Sequence, residues 1–294
     1  MCYTFLMAKY IPDIRSLRWV ILAPGRFGKP NFNHKKYELK THNGLKIADD
    51  CPFCPGNENL TPLEVDSISK DHSWAVRAFG NKYPITDIHE IIVHHPDHLK
   101  DIEEFDQTEL LNLMQMYQRR LKALSVQGVP ILFRNKGVSS GTSIPHPHSQ
   151  IIVLPEQINL QSLALEPVKN VVLDNNYFVL YCPDFSQYPY EVWITHKECA
   201  KHEVGDPAVD KITLESFSEA ELLDLGQLLQ KVLNALRKTL DNFDYNYYIS
   251  PKPPFYLRLV PRLLIRGGFE IGTGLSTNTL DPQDAAENLK KMIK

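Results

Sequence analysis

No apolar run in this chain approaches the roughly 18 residues that a membrane-spanning helix requires, so no membrane partner is expected. An excess of positive charge is also missing. The 32 Lys and Arg stand against 35 Asp and Glu, a net charge of −3. No broad basic field is left to hold nucleic acid. Residues 1–10 lack a basic segment followed by a long apolar run, so no secretory signal is expected. Cysteine is scarce and odd in number, five in all, with Cys2, Cys182 and Cys199 scattered. That set does not make a disulfide framework. It points to a reducing compartment, and a cytoplasmic location is expected. What is present, 43% hydrophobic and 23% charged residues over 294 positions, suits a globular protein with one large core or two of ordinary size.

The most informative stretch is Gly141-Thr142-Ser143-Ile144-Pro145-His146-Pro147-His148-Ser149-Gln150, which runs into the apolar Ile151-Ile152-Val153-Leu154. In a strand, side chains two apart share a face, so His146, His148 and Gln150 are expected on one side. Pro145 and Pro147 hold the approach extended and remove two backbone donors.

Other strands are expected near residues 18–23, 74–79, 89–93, 131–135, 177–181, 190–194, 245–249 and 255–260. Residues 31–50 read as irregular, and residues 155–175 as a link. A turn at Pro24-Gly25-Arg26-Phe27-Gly28-Lys29-Pro30 carries two cations; alone it reads as a solvated loop, with phosphate contact as the alternative. Two helices stand out, over 106–124 and 218–240. Asp106 with Glu109, and Ser218 with Glu221, form capping boxes; Phe105 and Phe217 sit where staple residues belong. A short helix is expected near 282–293.

The two helices match each other. Residues 105–124 and 217–236, offset by 112, are identical at ten of twenty positions, including Gln115/Gln227 and Gln118/Gln230. Helices converge on leucine, but not on shared glutamines and caps. Upstream, Tyr83-Pro84 and Tyr188-Pro189 each precede a strand led by a glutamate, Glu90 or Glu191. The chain therefore reads as two copies of a strand-strand-helix-strand-strand unit, residues 1–160 and 170–294. With one helix per copy the strands are expected to pair antiparallel, an α+β fold. At the second copy's version of the histidine motif stand Pro254, Tyr256 and Arg258.

Two chemistries fit the histidines. Cys51-Pro52-Phe53-Cys54 has zinc-knuckle spacing, with His98 and His146 as candidates for the remaining ligands; the bland reading is a pair of buried small hydrophobes. Imidazole can also accept a phosphoryl group at neutral pH and release it. His148 suits that role, its second ring nitrogen held by a backbone carbonyl of the 141–145 loop. Gln150 can donate to a phosphate oxygen without supplying a proton, which favours keeping a covalent intermediate. Backbone N–H groups of Gly141, Thr142 and Ser143 could cradle the phosphate.

Together the stretches RWVILAPGR, CPFCPGNENLTPLEV, WAVRAFGNKYPI, HEIIVHHPDH, SGTSIPHPHSQIIVLP and GGFEIGTG resemble the galactose-1-phosphate uridylyltransferase family, a branch of the histidine-triad superfamily built from two fused units. The resemblance covers about residues 10–290. It implies that His148 takes the nucleotidyl group and Gln150 stabilises the intermediate. It implies a structural zinc on Cys51, Cys54, His98 and His146. Nucleotide and substrate contacts would fall on Arg26, Lys29, Phe79, Asn81, Asn135, Gly141, Thr142, Ser143 and Phe269. The implied reaction moves UMP from UDP-glucose to galactose 1-phosphate, with a nucleotide sugar and a sugar 1-phosphate as partners and a homodimer as assembly. The HSQ and GFEIGTG features also resemble relatives acting as ADP-glucose phosphorylases. A histidine-triad hydrolase and a nucleotide-binding module without turnover are two further possibilities; the intact His148–Gln150 pair argues against both. Four features depart from the family pattern. Lys29 replaces a usual arginine, Thr142 a frequent cysteine, and Pro254 and Tyr256 frequent histidines. The linker after Pro155 is short.

Overall fold

The computed structural model describes residues 8–13, 18–26, 29, 35–70, 73–158, 168–202 and 206–293. Cys2, the turn residues Phe27, Gly28 and Pro30, and the middle of the expected 155–175 link lie outside them. In chain order the strands and α-helices are β1 (Lys9–Asp13), β2 (Arg18–Leu22), β3 (Leu39–His42), β4 (Leu45–Ala48), β5 (Glu64–Lys70), β6 (Ser73–Gly80), β7 (His89–Val93), α1 (Gln107–Leu124), β8 (Val129–Lys136), β9 (His148–Leu154), β10 (Val171–Asp174), β11 (Phe178–Tyr181), β12 (Val192–His196), α2 (Lys197–Lys201), α3 (Glu219–Leu240), β13 (Tyr245–Ile249), β14 (Tyr256–Pro261), α4 (Gly268–Thr273) and α5 (Pro282–Ile293). The expected α+β class with antiparallel pairing is what the chain adopts.

One ten-stranded sheet runs β10-β11-β12-β14-β13-β8-β9-β7-β6-β5. Read inward from each edge, both halves have the same order: two strands, then the strand before the long helix, then the two after it, reversed. Both helices begin as their sequences dictate, with reciprocal capping boxes at Asp106/Glu109 and Ser218/Glu221. The halves are joined where β8 pairs with β13, Arg134 opposite Tyr247 and Asn135 opposite Asn246. A single apolar cluster containing Leu113, Tyr117, Ile151, Leu225, Leu229 and Leu257 runs through both.

One of the shared glutamine pairs, Gln118/Gln230, now has a physical reason. Gln118 of α1 donates to the carbonyls of Leu214 and Phe217, just ahead of α3. Its counterpart Gln230 of α3 donates to those of Ile102 and Phe105, just ahead of α1. Each helix thus satisfies backbone acceptors at the start of its neighbour, groups that are costly to bury unpaired.

Besides β1, β5, α2 and α4, which the sequence did not announce, the fold departs from the sequence expectations as follows. Residues 31–50 hold a β-hairpin, β3–β4, turned by Asn43 and Gly44, both at positive φ. Asn-Gly is the residue pair such a turn demands. All four β3 residues are exposed, so no alternation announced the strand. The expected link ends early, because β10 begins at Val171. Finally, Glu90 and Glu191 are not equivalent. Glu90 faces α1 and forms a bidentate pair with Arg120, whereas Glu191 faces the opposite side of the sheet and grips Arg258. By strand register the counterpart of Glu191 is His89, since Ile91 lies opposite Gln150 and Trp193 opposite Arg258.

The loop between β8 and β9 depends on one glycine. Gly137 has φ +86°, and a Cβ there would lie 1.7 Å from Asp244 Oδ1. Asp244, from the second half, accepts the backbone N–H of Ser139 at 2.6 Å and anchors the loop. Gly137→Ala should destabilise the protein by about 2 kcal/mol or more, from strain and loss of this anchor. Thermal denaturation of the variant checks it; an unchanged melting temperature would mean that the anchor contributes nothing to stability.

Candidate active site and metal centre

On β9 the alternation is as expected. Ser149 points to the helix layer, where it meets Tyr117 of α1 at 2.6 Å and His94 at 2.8 Å. His148 and Gln150 therefore point to the opposite face, over which the β3–β4 hairpin and the Cys51–Cys54 knuckle lie. The knuckle has its own small core, in which Phe53, Phe79, Ile91 and Val93 are buried.

His146 precedes β9 and reaches the knuckle. The ligand atoms of Cys51, Cys54, His98 and His146 all lie within 4.8 Å of one another, and all four residues are buried. His146 Nδ1 is 3.7 Å from Cys51 Sγ and 3.6 Å from Cys54 Sγ; His98 Nδ1 is 3.4 Å from Cys54 Sγ. Four N and S donors around a tetrahedral zinc stand about 3.4–3.8 Å apart, so the donor set and spacing fit that ion. The tautomer fits too. His146 Nε2–H donates to the His95 carbonyl at 2.8 Å, leaving Nδ1 free to ligate. The two thiols share their protons unequally. Its hydrogen bond with Cys51 lowers the Cys54 thiol, while that same bond and then burial push Cys51 well up. A cation would relieve this by ionising both. Among the described residues no second cluster of this kind occurs.

His148 is 6% exposed. Its Nδ1–H donates to the carbonyl of His146 at 2.8 Å, and not to the 141–145 loop expected from sequence. Nε2 is thereby the unprotonated nitrogen. Burial, the largest cause, together with the charges of Arg134 and Lys29, lowers the His148 pKa to about 4, against the raising effect of the His146 carbonyl. The ring is neutral near pH 7. Phe53 packs edge-on against it with centroids 5.2 Å apart.

Arg26 and Lys29 of the cationic turn come near the face that carries His89 and His148. Arg26 Nη1 donates to the Tyr83 carbonyl at 2.8 Å, and Asn81 Oδ1 accepts the Tyr83 N–H in the same turn. Arg26 and Lys29 are half-buried, and both act electrostatically on His89, Lys29 also on His148. Burial lowers both cations, and Arg26 lowers Lys29 further. Two partly desolvated cations near a neutral imidazole supply the charge that an anionic ligand would need.

The remaining expected contacts are spread. Asn135 on β8 accepts from Asn246 through its Oδ1 at 2.7 Å. Gly141 is exposed, Ser143 half-buried, and Thr142 buried with its hydroxyl 3.3 Å from the Ile144 carbonyl. Phe79 lies a layer deeper, 2% exposed, its ring edge-on to Phe53 and under the Arg77 guanidinium. Phe269 stands apart on α4, 59% exposed. Among the described residues no hydrogen bond or ring contact links it to the His148 cluster.

Sequence reasoning missed His89. It sits on β7 beside β9, and its Nε2 lies 3.0 Å from Gln150 Oε1. The only available signal was its shared face with Ile91 and Val93; the β7–β9 pairing is not written in either strand alone. In the second half the corresponding face is filled. Trp193 stacks on Tyr256 at 4.5 Å, and Arg258 is locked to Glu191.

A family model described as the Ap4A phosphorylase N-terminal domain matches residues 29–171. ADP-glucose phosphorylase of Arabidopsis thaliana is 26% identical over an alignment covering 94% of this chain and 90% of the relative. Galactose-1-phosphate uridylyltransferase of Thermotoga maritima is 24% identical, covering 82% and 89%. The crystal structure of the Arabidopsis ADP-glucose phosphorylase with bound ADP-glucose superposes with a TM-score of 0.71 at 23% identity, covering 97% of this chain and 99% of that one. These relatives span nearly the whole length of both halves, the histidine-bearing and the degenerate alike. The chain is therefore similar, over most of its length, to ADP-glucose phosphorylases and galactose-1-phosphate uridylyltransferases, and shares their fold.

Proposed function

We propose that the protein transfers an adenylyl group from an ADP-sugar of the ADP-glucose type to inorganic phosphate, through a nucleotidyl group carried on His148. The observation that carries the transfer is the His148 ring. Its Nδ1–H is held by the His146 carbonyl, and its free Nε2 is on the strand face that also carries Gln150 and feels the charge of Lys29. Nε2 attacks the α-phosphorus, a P–N bond forms, and the bridging P–O bond breaks to release the sugar 1-phosphate. A phosphate monoester has a second pKa of about 6, so it leaves without a proton. Gln150 fits that need, because it donates hydrogen bonds and no proton. Phosphate then attacks from the vacated side and releases ADP, giving ping-pong kinetics.

The phosphorylase relative and the phosphorylase-domain match support phosphate as acceptor and adenine as base. The uridylyltransferase relatives support a second reading, UMP transfer from UDP-glucose to galactose 1-phosphate. Zinc on Cys51, Cys54, His98 and His146 would have four protein ligands and no open position, so it would brace the backbone around His148.

One experiment separates the two reactions. Protein is incubated with ADP-glucose or UDP-glucose, quenched in alkali, where a phosphoramidate survives, and weighed intact. The expected result is an adenylyl adduct discharged by phosphate as ADP. A uridylyl adduct discharged only by galactose 1-phosphate would favour the second reading. No adduct with either donor, while nucleotide sugar is consumed, would overturn both.

A further inference from the structure

We propose that His89 is a positioning residue: its Nε2–H holds the Gln150 carbonyl oxygen and so turns the Gln150 amide N–H groups toward His148. This deepens the proposed nucleotidyl transfer and rests on it for its catalytic consequence.

The positions of the protons along a hydrogen-bond chain fix this orientation. The backbone N–H of Ile85 points at His89 Nδ1 from 3.0 Å. A backbone amide can only donate here, so Nδ1 is the unprotonated nitrogen. In a neutral ring Nε2 then carries the hydrogen. The atom 3.0 Å from Nε2 is Gln150 Oε1, an acceptor. The reverse amide orientation would set two donors against each other. The Gln150 NH2 group is therefore directed away from His89, and among the described residues it has no further hydrogen bond. The Asn81 amide does not upset this order. Its Nδ2 lies 3.1 Å from one ring nitrogen and 3.4 Å from the other, too near both to follow either lone pair, so it rests over the ring face. Asn81 Oδ1 is itself fixed by the Tyr83 N–H at 2.8 Å.

The surroundings keep the relay neutral. His89 is 4% exposed. Its burial, the largest cause, and the charges of Arg26 and Lys29 disfavour the imidazolium against the raising effect of the Gln150 carbonyl, and its pKa falls to about 3. It donates a hydrogen bond without becoming a proton source. The second half uses the same pair of positions differently. There Glu191 and Arg258 form a buried bidentate ion pair, with Trp193 Nε1–H also on Glu191 at 2.9 Å. That charged pair locks an aromatic plug. The neutral pair in the first half leaves two amide hydrogens to offer.

The test joins a spectroscopic and a kinetic measurement on the full chain. Nitrogen-15 spectra of the histidine rings should show His89 as the neutral Nε2–H tautomer near pH 7, with its Nε2 signal moving in Gln150→Ala. The Nδ1–H tautomer, or a signal indifferent to Gln150→Ala, would overturn the proposal whether or not the enzyme turns over. In the kinetic arm, Gln150→Ala should slow adduct formation about 10²–10³-fold, as loss of an oxyanion-type donor does. His89→Leu should slow it roughly 10–100-fold, in kcat more than in KM, with the melting temperature and metal content kept. The double variant should be no slower than Gln150→Ala alone, within about threefold, because both changes remove one contact. His89→Gln, which restores an N–H donor, should recover part of the rate. Multiplying single effects would show that His89 acts elsewhere and would overturn the relay. If wild-type protein forms no adduct, the nucleotidyl-transfer reading falls, while the tautomer spectra still decide the His89–Gln150 bond.

Discussion

His148→Ala should abolish the covalent nucleotidyl adduct and lower turnover of the nucleotide sugar by at least about 10⁴-fold, the scale seen when a nucleophile is removed. The fold should survive. The imidazole makes one hydrogen bond to a backbone carbonyl two residues away and one edge-on ring contact with Phe53. Both are local, and Ser149 continues to tie β9 to Tyr117 and His94 on the opposite face. Retained melting temperature with lost labelling is thus the expected pair of results. Intersecting initial-velocity lines in the wild type, with most activity left in His148→Ala, would mean direct transfer between substrates and no intermediate.

Cys51→Ser should lower both bound zinc and stability. The four donors come from three separated stretches: the knuckle, the loop after β7 and the approach to β9. An ion held by all of them closes long loops and contributes on the order of 10 kcal/mol to the folded state. Losing one thiolate should remove roughly 3 kcal/mol, or about 6–12 °C in melting temperature for a chain of this size. Adduct formation should fall as well. His146 faces the knuckle with its side chain and holds His148 with its carbonyl, so a loosened metal site misplaces the nucleophile. Metal analysis of protein purified without chelator gives the baseline. Absence of zinc there, or a Cys51→Ser variant as stable as the parent, would sink the structural-metal reading.

The two ends of this site differ in how they are encoded. The capping boxes, the helix pair offset by 112 residues, the CxxC knuckle and the His-Pro-His-Ser-Gln run were legible because each is local: caps act over three residues, strand faces alternate every two, and a repeat is self-similar. The placement of His148 and Gln150 on one face of β9 needed nothing more. The β3–β4 hairpin was legible in principle, through Asn43-Gly44, yet its exposed strand carried no alternation to confirm it.

Tertiary structure decided the rest. Nothing in Pro24-Gly25-Arg26 says that this turn meets Tyr83, or that Arg26 and Lys29 then stand near His89 and, for Lys29, His148. Nothing in the β7 sequence says that its first residue meets Gln150 rather than α1; Glu90, one position on, takes the helix side. The exchange of Gln118 and Gln230 between helix starts became meaningful only once α1 and α3 were packed together. Sequence by itself marked the two long helices and their likeness, most of the central strands and the side chains proposed here to carry a metal or a nucleotidyl group. Strand register and loop docking decided which of those side chains meet, because contacts between residues far apart in the chain depend on the packing of the whole sheet and leave no periodic trace in any one segment.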